Sequence, residues 1–73
     1  MTRIRRMKAD EVEQILRRYD FELISQKGSH RKWRSNTQEI QVTVPYHKGR
    51  DLPLGTLRNI LVTAKIPEHE WKI

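Results

Sequence analysis

Phe21-Glu22-Leu23-Ile24-Ser25-Gln26-Lys27-Gly28-Ser29-His30-Arg31-Lys32-Trp33-Arg34-Ser35-Asn36-Thr37-Gln38-Glu39-Ile40-Gln41-Val42-Thr43-Val44 alternates strand-forming runs with turn residues and decides the centre of the fold. Residues 21–26 read as a strand in which Phe21 and Leu23 share a face. Lys27-Gly28-Ser29 is a tight turn, in which Gly supplies backbone freedom and Ser can bond locally to the backbone. A second strand spans residues 30–34, and Asn36-Thr37-Gln38 connects it to a third over residues 40–44. In that third strand Ile40, Val42 and Val44 point inward and Gln41 and Thr43 outward. With Trp33 inward, parity places His30, Lys32 and Arg34 together on the outward face. A one-residue bulge near Gly28-Ser29 would move His30 off that face.

Working outward from the strands, Val12, Ile15, Leu16 and Tyr19 recur at helical spacing and predict a first helix over residues 9–19. Asp10 and Glu13 fit a capping arrangement at its start, and Arg17 and Arg18 complement the helix dipole at its end. Beyond the strands, residues 45–52 form a polar loop carrying Tyr46, His47, Lys48, Gly49 and Arg50. Pro53 opens a second helix in its first turn. Leu54, Leu57, Ile60, Leu61 and Ala64 are that helix's apolar stripe, and Ile66-Pro67 ends it. The expected class is α+β, in the order helix, three-stranded antiparallel sheet, helix. Both helices cover one sheet face, because no other element can bury it. The expected organisation is one domain over residues 1–73. Residues 1–7 are a basic, extended or frayed start, and residues 67–73 a tail in which Trp71 folds back onto the domain.

The totals narrow the function. Fifteen Lys and Arg against nine Asp and Glu give a net charge of +6 and a pI near 10.2. A basic small domain calls for an acidic partner: nucleic acid, an anionic membrane or an acidic protein. No single basic amphipathic helix appears, which argues against the membrane surface. Cys is absent, so neither disulfides nor thiolate metal sites supplement the core. No apolar run is long enough for a membrane span or a signal-peptide core, and the expected location is cytoplasmic.

Within Lys27-Gly28-Ser29-His30-Arg31-Lys32-Trp33-Arg34, one histidine lies among four cationic side chains with no acid. Histidine donates and accepts protons near neutrality, and cations attract phosphate. Together they are the minimum equipment for cleaving RNA without a metal. That reaction uses the 2′-hydroxyl as nucleophile and needs proton transfer and cations around a charge-bearing phosphorane. His30 is the expected acid–base group. Lys32 is the first candidate to hold the phosphate, with Lys27, Arg31 and Arg34 behind it. Gly28 and Ser29 shape the RNA-facing turn. His47 is a minor candidate for a second acid–base group, its loop position being equally explained by hydrogen bonding within the turn. Tyr46 could stack on a base or cover the sheet edge, whereas the strand position of Trp33 favours the core. His69, between two glutamates, reads as an exposed bystander. No carboxylate cluster, zinc motif or Gly-rich nucleotide loop is present, so no metal and no cofactor is expected.

Gly28-Ser29-His30, the run from Val44 through Gly55-Thr56-Leu57-Arg58 to Leu61, and Glu11-Val12, Leu16 and Phe21-Glu22-Leu23 resemble the HicA family of toxins. The resemblance runs over about residues 9–66. A basic N-terminal extension and a Trp in the tail depart from the family pattern. The resemblance implies a fold like that of the double-stranded-RNA-binding domain, and a toxin that cleaves messenger RNA independently of the ribosome, arresting translation and growth. It also implies a HicB-type antitoxin that blocks the site, with DNA contacted only through the antitoxin. Two rivals fit the charge as well: a non-catalytic basic RNA-binding module and a protein-interaction adaptor.

Overall fold

The computed structural model describes residues 3–73. The elements run α1 (Ala9–Arg18), β1 (Phe21–Lys27), β2 (His30–Ser35), β3 (Gln41–Pro45), α2 (Leu54–Thr63) and a short 3-10 turn, η1 (Glu68–Glu70). The strands form one antiparallel sheet in the order β1-β2-β3. This is the α+β order expected. The buried side chains of α1 (Ala9, Val12, Ile15, Leu16) and α2 (Leu57, Ile60, Leu61) meet Phe21, Trp33, Val42 and Val44 from one face of the sheet. Each fully buried large aliphatic contributes about 1.5–3 kcal/mol, so these helices hold to the sheet mainly through their stripes. The opposite face carries the alternate, exposed residues of β2 and β3. Among the described residues no helix is long and apolar enough to cross a membrane.

The ends of the helices depart from the expected chemistry. Lys8 is the N-cap of α1, and its backbone N–H donates to the Glu11 carboxylate at 3.1 Å. Glu11 therefore takes the role expected of Asp10 and Glu13, and Glu13 is buried instead. Pro53 precedes α2 as its N-cap, and Leu54 is 40% exposed, outside the stripe assigned to it. At the C-terminus of α2, Lys65 adopts φ +57°. Its N–H bonds to the Val62 carbonyl, and the Ile66 N–H bonds to the Leu61 carbonyl. These are the two bonds of a Schellman ending, with buried Ile66 as its apolar contact.

The start of the chain is not frayed over the residues described; Met1 and Thr2 lie outside them. Met7 is fully buried, and its carbonyl accepts the Leu52 N–H at 2.9 Å. Arg5 N–H donates to the Trp71 carbonyl, Ile73 N–H donates to the Arg3 carbonyl, and Ile4 bridges to Lys72. Trp71 folds back as expected, 3% exposed, with its indole N–H on the Ile66 carbonyl at 3.0 Å. The two ends of the chain therefore clasp each other along one side of the domain.

Glu70 fixes that clasp to α1. Its carboxylate accepts from the Tyr19 hydroxyl and from Arg18, each at 2.7 Å. The Tyr19 hydrogen bond and the Arg18 charge hold the Glu70 carboxyl below its ordinary value, and the same bond pushes the Tyr19 hydroxyl upward. A carboxyl lowered on folding stabilises above its unfolded pKa and loses that contribution as pH falls through its folded value. Acidification should therefore release the tail below the ordinary carboxylate range, read as a change in Trp71 fluorescence. In Tyr19→Phe the release should move to higher pH. An acid transition at the same pH in both proteins would remove Glu70 from this role.

Candidate functional site

His30 stands at the first position of β2, and the turn before it fixes where it points. Gly28 has φ +60°, the left-handed conformation that a Gly-first, two-residue hairpin turn requires. The Ser29 carbonyl accepts the Tyr46 N–H at 2.6 Å, which ties the turn to the end of β3. No bulge occurs there, and β2 pairs without interruption with β3, His30 opposite Pro45 and Lys32 opposite Thr43. His30, Lys32 and Arg34 therefore lie on the outward, exposed face, as parity predicts.

A bulge does occur, but in β1. Phe21, Glu22 and Leu23 pair with Ser35, Arg34 and Trp33; beyond the bulge Ser25, Gln26 and Lys27 pair with Lys32, Arg31 and His30. Paired residues on antiparallel strands share a face. Phe21 and Leu23 thus lie in the row of Trp33, as expected, although Leu23 on the sheet edge is 39% exposed. The extra residue moves Ser25 and Lys27 into the row of Lys32 and His30. Without it Lys27 would point toward the helices. Ser25, Lys27, His30, Lys32 and Thr43 line an open depression of about 600 Å³ on the outer face. Lys27, His30, Lys32 and Arg34 take part in no ion pair among the described residues, whereas Arg5, Lys8, Arg18, Arg31 and Lys72 each face a carboxylate.

Arg31 is set apart from this group. It shares the inward row with Trp33, and its Nη1 lies 2.7 Å from Glu13 Oε1. The other Glu13 oxygen accepts the Trp33 indole N–H at 2.9 Å. The Arg31 guanidinium also lies over the Tyr46 ring, 4.1 Å from its centroid, and the Arg17 guanidinium lies 5.1 Å from the Trp33 ring. Tyr46 is half-buried against the core rather than presented for stacking. The Asp10 carboxylate facing its hydroxyl pushes the Tyr46 pKa up. Trp33 is fully buried, as its strand position suggested. His47 is exposed on the loop after β3, beside Pro45, Arg50 and Asp51, and does not line the His30 depression. His69 is exposed next to Glu70.

Two contributors escaped the sequence reading. Ser25 joins the depression only because of the bulge, whose signal is the pair of adjacent apolar residues Leu23-Ile24 breaking the alternation of β1. Glu13 lies four residues after Ala9 and three before Leu16, so it belongs to the buried face. An acid at that position facing an inward Arg-x-Trp on β2 is the signal that could have found the pair.

The outer face thus presents an imidazole at one end of a strand, unpaired cations beside and beyond it, and two hydroxyls. It can bind a polyanion backbone and move a proton at the His30 end. Among the described residues no group of three or more His, Cys, Asp or Glu side chains could share a metal ion. Comparison with curated proteins returns no match. The family model for the HicA toxin of bacterial toxin–antitoxin pairs matches residues 9–66, from the first residue of α1 to the buried Ile66 after α2. With most of the chain matched, and with the strands, turn and helices of the resemblance in place, the chain belongs to the HicA toxin family.

Proposed function

We propose that this toxin is an endoribonuclease that cuts messenger RNA without a metal, with His30 as its acid–base group. The observation that carries the reading is the His30 depression: one imidazole between Lys27 and Lys32, with no carboxylate in its lining. The RNA 2′-hydroxyl gives its proton to His30 and attacks the adjacent phosphorus. The bond to the 5′-oxygen breaks as that oxygen takes a proton from solvent, leaving a 2′,3′-cyclic phosphate and a 5′-hydroxyl, and His30 then returns its proton to solvent. Lys32 and Lys27 hold the phosphate and offset the charge that builds on it, and preset cations of this kind need no rearrangement during reaction. Gly28 and Ser29 set the turn that aims His30, and Arg34 extends the cationic face. Arg31 and Tyr46 act from the inner side, through the position of β2, rather than by touching RNA. His47 contributes from the loop as an outlying contact.

The family implies an antitoxin partner; on this reading it is of the HicB type, covers this face and competes with RNA for it. An acidic antitoxin surface would match its charge and associate rapidly at low salt. Any DNA contact is made by the antitoxin.

The reading is tested by incubating the protein with a long single-stranded RNA in EDTA, beside an all-deoxy strand of the same sequence. Cleavage of the RNA alone, with cyclic-phosphate ends, is expected. Cutting of the deoxy strand would sink the 2′-hydroxyl mechanism. Tight, salt-sensitive RNA binding without cutting would instead identify a non-catalytic RNA-binding module.

A further inference from the structure

Cleavage concerns one phosphate, but the outer face offers more than one cation. Alternate residues of a strand share a face and stand about 6.6 Å apart, twice the ~3.3 Å rise per residue. His30, Lys32 and Arg34 therefore form a straight row along β2. The spacing is comparable with that of successive phosphates in an extended single strand. No aromatic ring lies in this row: Phe21, Trp33 and Trp71 are buried, and Tyr19 and Tyr46 pack against the core. The face lacks the rings on which single-strand binders stack bases, so its grip is on the backbone. The row also has an end. Arg34 shares a depression with Glu39 of the loop after β2, which puts negative charge just past the last cation, and Glu22 lies directly across from Arg34 on β1.

We propose that β2 is a three-phosphate track for an extended single-stranded RNA backbone, and that Arg34 is the specificity-determining residue that sets the productive substrate length. The reacting phosphate sits at His30 between Lys27 and Lys32, its neighbour lies between Lys32, which reaches both, and Arg34, and the third sits at Arg34. The assignment rests on the reading of His30 as the reacting end. Beyond the third phosphate on that side, added nucleotides meet Glu39 and gain nothing.

The test uses oligonucleotides of two to six residues, each with a single cleavable ribonucleotide in an otherwise deoxy strand, lengthened on the 5′ side in one series and the 3′ side in the other. For the wild-type chain kcat/KM should rise over the two phosphates added on one side and then level off. R34A should lose the last rise, so that its longest substrates are cut only as well as those ending one phosphate earlier. A parallel all-deoxy ladder, labelled and followed by anisotropy over a salt series, needs no cleavage. There R34A should flatten the slope of log K against log salt by ~0.7, the increment for one phosphate of a single strand. If R34A keeps the full length dependence, or if neither series depends on length, the track is wrong. Length-dependent binding without cutting would overturn the RNase reading and leave the track standing. Cutting without length dependence would do the reverse.

Discussion

His30→Ala is expected to abolish RNA cleavage while leaving the fold and most of the RNA affinity intact. Positioned proton transfer contributes ~10²–10⁴ in rate, and no other imidazole lines the depression to replace it. The structural side of the prediction is equally definite. His30 is exposed, and among the described residues its side chain makes no hydrogen bond and no ion pair. The backbone bonds of β2 to its neighbours do not depend on the side chain. The variant should therefore unfold at the wild-type urea midpoint and bind an uncleavable all-deoxy strand with a similar salt slope. That separation matters, because a basic sheet binds RNA through Lys27, Lys32 and Arg34 whether or not it cuts. Lys32→Ala gives the complementary pattern, with weaker binding, a shallower salt slope and a smaller fall in rate. The decisive reading is single-turnover cleavage beside the two controls. A His30→Ala protein that cuts at the wild-type rate would end the proposed mechanism.

The outer face was legible because strand parity is a hard constraint. Once Trp33 is inward and β2 runs without a bulge, His30, Lys32 and Arg34 must face outward, and the structure places them there. The helices were legible for the same kind of reason, their stripes repeating at a spacing that only one periodicity explains. What went unread was set by a break in register. The bulge between Leu23 and Ser25 costs one ladder position and changes the face of Lys27, and its one trace in the sequence is the adjacent apolar pair Leu23-Ile24. The terminal clasp was hidden differently. Arg3, Ile4 and Arg5 look like a solvated basic start, and only the bridge between Ile4 and Lys72, with the backbone bonds to Trp71 and Ile73, turns them into structure. Arg31 looked like one more phosphate ligand among four cations. It is drawn inward by an acid eighteen positions earlier, a long-range pairing visible only when the buried face of α1 is read against the inward row of β2.

Removing that acid should be among the most damaging single changes in the core. Glu13→Ala is expected to destabilise the chain by about 3–5 kcal/mol, the usual cost of breaking one side of a buried ion pair. Glu13 is 4% exposed and accepts from two groups, Arg31 at 2.7 Å and the Trp33 indole at 2.9 Å. Both donors would lose their acceptor at once. Arg31 can least absorb the loss, since its Nε is already buried without a hydrogen-bond partner. A chain of this length has roughly 4–11 kcal/mol of stability at ~0.05–0.15 kcal/mol per residue, so the variant should lose a large part of its margin. Trp33→Phe keeps the ion pair and loses one bond to a charged acceptor, for about 1.5–3 kcal/mol. The informative comparison is with Glu13→Leu and Glu13→Leu/Arg31→Met. If the single variant suffers because a guanidinium is stranded, removing the guanidinium as well should recover part of the loss, as buried ion pairs replaced by apolar residues often do. Urea unfolding of these two variants, of Arg31→Met alone and of the wild type closes the cycle and measures it. Additive losses in the double variant would mean that the two side chains stabilise the domain independently, and that the pair between α1 and β2 is a contact without coupling.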